Sequence, residues 1–244
     1  MKEIEFISVN KSYGEITILK DVNFSINKGE FVTILGANGS GKSSLLNLIS
    51  ARHKIDSGKI DLIGSPNISY LKQNYKDTIF PWKNNLTNLT LPLTLKKIGK
   101  IQRNKKAKEL IKVFNLDFNE SKYPYELSGG QQQQLAILRS FISNPDILLL
   151  DEPFGALDYA IRRDISNQVL NYWKIKKNTV IMVTHDIDEA IMLSDKILIL
   201  KNKSIDEIIN INLIFQRPRN INLIATQNFG KVKVKILELL EYVK

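Results

Sequence analysis

The sequence contains no cysteine and only two histidines, His53 and His185. Disulfides and thiolate metal sites are thereby excluded, and a reducing compartment is permitted. Two imidazoles are too few for a histidine-rich metal centre. No stretch approaches the ~18 consecutive apolar residues of a membrane-spanning helix. The opening MKEIEFISVNKSYGE lacks the apolar core of a signal peptide. The chain is therefore expected to be made and kept in the cytoplasm unless a partner carries it to a membrane. Low-complexity tracts are absent too, since the glutamines Gln131–Gln134 are too short a run to count as one. With 43% hydrophobic and 25% charged residues over 244 positions, the composition excludes disordered and collagenous classes. A chain of this length buries about 70–75% of its unfolded surface and needs no covalent staple.

Acid is in short supply: 25 Asp and Glu stand against 35 Lys and Arg, a net charge of +10. Such a balance can mark affinity for nucleic acid or an anionic membrane. Here the basic residues are spread along a chain rich in Lys, Ile and Asn, and biased composition explains the charge more simply. The one dense run, Lys96, Lys97, Lys100, Arg103, Lys105, Lys106 and Lys108, contains no acid and reads as a solvated helix face.

Residues 4–9 and 16–26 alternate loosely and read as strands, followed by a turn at Asn27–Glu30. Then come continuous apolar runs, Phe31–Leu35, Ile147–Leu150, Thr179–Val183 and Lys196–Leu200. Unbroken runs of this length suit strands buried on both faces of a parallel sheet. Ile161, Ile165 and Val169 recur every four residues, one stripe of an amphipathic helix. Strands alternating with helices predict an α/β fold with a mainly parallel sheet. The segment 74–144 breaks the rhythm and reads as a mostly helical inserted lobe, with helices at 103–114 and 131–143. Residues 1–73 and 145–210 then form the core, and 211–244 a tail ending in a helix near 235–243.

Gly36-Ala37-Asn38-Gly39-Ser40-Gly41-Lys42-Ser43 is G-x-x-x-x-G-K-[ST], placed after a buried strand and before a helix expected over Ser44–Ser50. Glycines let the backbone curl so that successive N–H groups point inward as an anion nest, and the helix aims its positive end at the same point. Lys42 supplies a point charge for the β- and γ-phosphates, and Ser43 a hydroxyl for Mg2+. The dinucleotide fingerprint G-x-G-x-x-G fits worse: about 20 positions on, where an acid is required, Asp56-Ser57-Gly58 reads as a turn. The strand 147–150 ends in Asp151-Glu152-Pro153. Ligands gather at the carboxyl ends of such strands, so Asp151 is placed to help hold Mg2+ and Glu152 to orient attacking water. His185 ends the next apolar strand, in reach of a γ-phosphate. His53 reads as a surface residue.

Leu127-Ser128-Gly129-Gly130-Gln131, about 20 residues before the acidic pair, makes the chain resemble the nucleotide-binding subunits of ABC transporters. The resemblance runs from about residue 2 to 242. It implies a RecA-like P-loop NTPase core, an N-terminal antiparallel β subdomain and an inserted helical subdomain. It implies binding and hydrolysis of ATP with Mg2+. By the same resemblance Tyr13 stacks on adenine, Gln73 touches Mg2+, Ser44 joins the phosphate contacts and His185 is the switch histidine. Ser128, Gly129, Gly130 and Gln131 close on a partner subunit's ATP, and Asp158 is the nucleotide-site aspartate at the dimer seam. The implied partners are a second copy or a paralogue, a transmembrane permease and, indirectly, an extracytoplasmic solute-binding protein. Nucleic acid is not expected, since the coiled coil of DNA-repair members and the tandem cassettes of translation factors are missing. Nor is a GTPase, since the guanine-reading Asn-Lys-x-Asp is absent. The implied location is the cytoplasmic face of the cell membrane. Phe80-Pro81-Trp82-Lys83 and Gln216-Arg217-Pro218-Arg219 resemble importers of nitrate, sulfonates and taurine, and related thiamine-precursor systems. Three positions depart from the family's habit: Gln134 for Arg, Ser44 for Thr and Lys72 for Phe.

Overall fold

Short runs of β-branched and leucine residues form the strands here because every position can be buried. Phe31–Leu35, Ile147–Asp151 and Thr179–Val183 are buried from end to end. In the computed structural model, which describes residues 1–116, 119–155 and 157–241, the chain begins with β1 (Lys2–Tyr13), β2 (Ile16–Asn27), β3 (Phe31–Leu35), α1 (Lys42–Ile49), β4 (Ser57–Leu62) and β5 (Ile68–Leu71). Three helices follow, α2 (Asn85–Leu95), α3 (Lys100–Val113) and α4 (Gly129–Phe141). Next come β6 (Ile147–Asp151), α5 (Tyr159–Lys176), β7 (Thr179–Val183), α6 (Ile187–Leu193), β8 (Lys196–Lys201) and β9 (Ser204–Asn210). The described chain closes with α7 (Ile211–Ile214) and α8 (Gln227–Leu239). The tail helix thus starts well before the expected 235, and residues 242 and 243 of that expectation lie outside the described residues. Contacts gather the chain into two units, Met1–Pro66 together with the chain from Thr179 onward, and Asn67–Asn178.

The first unit holds two sheets. In the antiparallel sheet the order is β2-β1-β4, with Ile4 opposite Ile26 on one side and Leu62 on the other. Ile4, Phe6 and Val9 are buried, and Phe6 stacks on Phe24 at 4.4 Å between ring centroids. A bulge at Ser8, whose φ is +47°, brings its carbonyl onto β4. A Cβ on Gly58 would lie 2.3 Å from that oxygen. Ser57-Gly58 therefore starts a strand rather than forming the expected turn, and glycine is there for close approach.

The second sheet of this unit runs β7-β3-β8-β9, parallel except for β9 on the edge. Ile34 stands opposite Val183, and Leu35 opposite Ile199. Leu35, Ile191, Ile197, Ile199, Phe229 and Ile236 share one apolar cluster that joins sheet, α6 and α8. Asp195 fixes the start of β3: its Oδ2 accepts the Phe31 N–H at 2.9 Å, and its own N–H donates to Phe31 O at 2.6 Å. Its Oδ1 accepts Asn212 Nδ2 at 2.7 Å and Arg217 Nε at 3.0 Å. Arg219 reaches further. It donates to the carbonyls of Ile191 at 2.8 Å, Ser194 at 2.6 Å and Phe215 at 3.0 Å, and to Asn212 Oδ1 at 2.6 Å. The two arginines supply donors to carbonyls that α6 leaves over at its C-terminal end. Burial, with repulsion from Arg217, pushes the Arg219 guanidinium down to about 10, and Asp195 opposes that shift.

In the second unit β5 and β6 pair in parallel, Ile68 opposite Ile147 and Leu71 opposite Leu150. Ring contacts of 4.9–5.9 Å among Phe114, Phe141 and Tyr172 tie the end of α3 to α4 and α5. Helix α2, NLTNLTLPLTL, falls in the lobe read as mostly helical but is not among the helices named there, and Pro92 and its Asn and Thr residues are poor helix formers. It forms because Asn84 caps it, accepting Thr87 N–H at 2.9 Å, and because buried Asn88 ties it to the preceding turn. Asn88 Oδ1 accepts Phe80 N–H at 2.8 Å, and its amide donates to the carbonyls of Phe80 and Lys83 at 2.9 and 2.8 Å. Among the described residues no helix is long and apolar enough to cross a membrane.

Replacing Arg219 by Ala strips donors from several half-buried carbonyls, and should cost about 2–4 kcal/mol of unfolding free energy. Urea unfolding measures it, and a midpoint shared with the wild-type chain would refute the anchoring role.

Candidate functional site

The glycine loop leaves β3 at Gly36 and ends at Gly41, the N-cap of α1. Gly36 is buried against β8, where a Cβ would sit 2.5 Å from Leu200 O. Gly41 has a φ of +105°, and a Cβ there would meet Ile18 Cγ2 at 2.9 Å, so both position and conformation require glycine. Ala37, Asn38 and Gly39 are exposed at the tip. Lys42 is buried and turns inward, its Nζ donating to the carbonyls of Gly36 and Ala37 at 2.8 and 2.9 Å. Ser43 and Ser44 are half-buried in the first turn of α1, which carries neither an acid nor a side-chain cap. Ser40 Oγ is buried without a hydrogen-bond partner. A loop with an inward ammonium, an uncapped helix start and an orphaned hydroxyl is built to receive an anion.

Register carries His185 to the same edge. Ile34 pairs with Val183, so two residues further on Gly36 and His185 lie at one level of adjacent strands. His185 is exposed, while Thr184 before it is buried and its Oγ1 both donates to Glu189 Oε2 at 3.0 Å and accepts Asp186 N–H at 3.1 Å. Tyr13, at the end of β1, is exposed rather than a core tyrosine. Its Oη is 2.5 Å from His53 Nδ1.

The acidic end belongs to the other unit and is built on one strand pair. β6 delivers Asp151 buried, with Tyr70 Oη donating to its Oδ2 at 3.2 Å from the neighbouring β5. Continuing the register by two residues brings Gln73 level with Glu152, and Gln73 Nε2 donates to Glu152 Oε2 at 3.1 Å. Glu152 takes a φ of +48°, a left-handed conformation rare for a residue with a side chain. Pro153 follows, its carbonyl accepting buried Gln133 Nε2 at 2.6 Å. Asp158 caps α5, accepting Ile161 N–H at 3.0 Å, and Ala156 of the same loop lies outside the described residues.

The Ser-Gly-Gly-Gln segment is the start of α4, two residues earlier than sequence reading places it. Ser128 is the N-cap: its Oγ accepts Gln131 N–H at 3.3 Å, and Gln131 Oε1 accepts Ser128 N–H at 3.0 Å. This reciprocal capping box ties Gln131 to the shape of the turn. Tyr75, buried two residues after Gln73, donates its hydroxyl to Gly129 O at 3.0 Å, and burial raises its phenol above the ordinary range.

A family model described as ABC transporter matches residues 19–155, more than half of the chain. The chain belongs to the ABC transporter family. As a member it is an ATP-binding, ATP-hydrolysing subunit. It is 38% identical over 241 residues to an aliphatic sulfonates import ATP-binding protein, SsuB, of Bacillus cereus, covering 96% of this chain and 92% of that protein. The protein of the same name from Bacillus subtilis (strain 168) is 37% identical over 233 residues, covering 92% and 88%. Among solved structures, the dimeric ATP-binding cassette MJ0796, in a post-hydrolysis state with ADP and Pi, has a TM-score of 0.78 and 32% identity, covering 85% of this chain and 98% of that one. The fold is shared as well by cbiO1 from Clostridium perfringens, with a TM-score of 0.80 at 23% identity over 96% of this chain and 99% of that one.

Within this ABC subunit the structure brings Gln73 to Glu152, Ser128 to Gln131, and Gly36 level with His185. Sequence reading misses Tyr70, Tyr75 and Gln133, which meet their partners 81, 54 and 20 residues away. Only strand register or tertiary packing could have found them. Ser128→Ala removes the cap of α4 and should cost about 1 kcal/mol. Thermal or urea unfolding of the purified variant reads this directly, and an unchanged stability would show that the capping box is not holding the turn.

Proposed function

We propose that this subunit energises an importer for a sulfonate or a related small solute, working as a dimer on a membrane permease at the cytoplasmic face of the cell membrane. The reading rests chiefly on the phosphate loop: inward Lys42, left-handed Gly41 and the uncapped start of α1 suit a nucleotide's phosphate tail. In this reading Gly36, Asn38, Gly39, Ser40, Gly41, Lys42, Ser43 and Ser44 surround the phosphates, with Ser40 Oγ gaining its missing partner, and Tyr13 stacks on adenine. Residues 1–73 with 145–210 act as the nucleotide-binding core, 74–144 as the signature subdomain and 211–244 as the tail.

Among the described residues no group of three or more His, Asp or Glu could hold a metal by itself. The Ser43 hydroxyl, the Gln73 amide oxygen and the Asp151 carboxylate are each oxygen donors of the kind a hard cation takes. Mg2+ held by such donors would offset charge on the β- and γ-phosphates. Lys42 leaves its loop carbonyls for the phosphates. Glu152, steadied by the Gln73 amide, orients the attacking water and accepts its proton. His185 contacts the γ-phosphate from the neighbouring strand end.

Ser128, Gly129, Gly130 and Gln131, with Asp158, serve the ATP of a second copy or a paralogue. One tail needs only one cradle per chain, so a second glycine-bearing helix start, shaped by its own capping box, supports a second subunit. Trp82, 70% exposed on a turn that Asn88 holds rigid, is offered as permease contact. The cargo arrives through an extracytoplasmic solute-binding protein, and no nucleic acid takes part. The sulfonate import named for the Bacillus relatives, at 37–38% identity over nearly the whole chain, supports the solute class.

Two substitutions test the chemistry. Lys42→Ala should weaken ATP binding about 10- to 100-fold through loss of a charge-assisted contact. Glu152→Gln should bind ATP, lower kcat about 10²- to 10⁴-fold and accumulate ATP-dependent dimers in gel filtration. Undiminished turnover in either variant would overturn the assignment. With the permease and binding protein in vesicles, an alkanesulfonate should stimulate hydrolysis, and stimulation by unrelated solutes alone would reject the solute class.

A further inference from the structure

His53 lies just beyond α1, and Tyr13 ends β1, 40 residues earlier. Their side chains meet with Tyr13 Oη 2.5 Å from His53 Nδ1, the rings edge to face at 82° and 5.4 Å between centroids. Where Nδ1 carries no hydrogen it accepts the Tyr13 O–H, and where it carries one it donates to the phenol oxygen. Either placement of the hydrogen keeps the Tyr13–His53 bond. Lys11 Nζ sits 5.2 Å from the Tyr13 centroid and is itself held by Asp56 Oδ1 at 2.7 Å. Asp56 Oδ2 in turn accepts the Ser12 N–H at 2.5 Å. An exposed tyrosine ordinarily samples several rotamers; this one is pinned at its hydroxyl by His53 and approached over its ring by an anchored ammonium.

His53 is not mounted on a loose loop. The N–H groups of Arg52 and His53 return to Asn47 O at 3.0 and 3.4 Å, so the imidazole rides on the C-terminal end of α1. The other end of α1 is Lys42, the phosphate end, and eight residues of helix span about 12 Å between them. The helix that takes the phosphates therefore also fixes, through one imidazole, where the aromatic ring stands.

We propose that His53 is a positioning residue for nucleotide binding, holding the Tyr13 ring as a pre-set platform for the base at a fixed distance from the phosphate loop. The proposal rests on the reading of Tyr13 as the adenine-stacking residue. Ordering the ring before ATP arrives removes an entropy cost from binding.

The test measures equilibrium binding of ATP and of inorganic tripolyphosphate, each with Mg2+, by calorimetry on the full chain. His53→Ala and Tyr13→Phe should each weaken ATP about 3- to 10-fold, the worth of one hydrogen bond. The double variant should be no worse than the weaker single, and tripolyphosphate affinity should be unchanged. His53→Asn, which keeps an acceptor near the Nδ1 position, should recover most of the loss. If Tyr13→Ala weakens ATP and His53→Ala does not, the positioning role is overturned and the stacking role stands. If Tyr13→Ala leaves ATP binding unaltered, the stacking reading itself falls. Equal loss of tripolyphosphate in His53→Ala would overturn the proposal by showing that His53 acts on the phosphate loop or the fold at large.

Discussion

The rest of the structure depends on the burial of short strands on both faces. A strand such as β3, with no exposed position, presents polar groups to a ligand only where it stops. Its successor residues must then satisfy their own backbone groups in a loop, and glycines and an uncapped helix start do so in a way that leaves donors pointing inward. The same constraint governs β6, whose last buried residue is Asp151 and whose next is Glu152 in a left-handed conformation. In both units candidate site residues end or follow the buried run of a strand.

In the unit Asn67–Asn178 the candidate site residues are oriented by neighbours that contact no nucleotide in the proposed reading. Tyr70 holds Asp151, and Gln133 holds the carbonyl after the acidic pair. Tyr75 fixes the first carbonyl of α4. Such supporting contacts restrict the positions these groups can take, which any positional chemistry requires.

Much of this is legible in the amino-acid order. The runs Phe31–Leu35 and Thr179–Val183 read with their observed bounds, since continuous apolar residues between polar turns leave little choice. The family follows from short motifs at fixed spacing. Less legible are elements whose reason lies elsewhere in the chain. Helix α2 depends on Asn88 bridging back to Phe80 and Lys83, which outweighs Pro92. Strand β4 depends on the Ser8 bulge, and a Ser-Gly pair read locally suggests a turn. His53 gives no signal at all, because its meaning comes from Tyr13, brought beside it only by the fold.

Asp195 has a consequence for how such subunits can be recombined. One of its oxygens serves the first residue of β3, and the other serves Asn212 and Arg217. The root of the phosphate-loop strand and the segment after β9 thus share a single carboxylate. A chimera that grafts a foreign tail onto this body must bring its own amide and guanidinium for that oxygen. Otherwise it leaves a buried negative charge unmatched at the foot of the strand that carries the glycine loop.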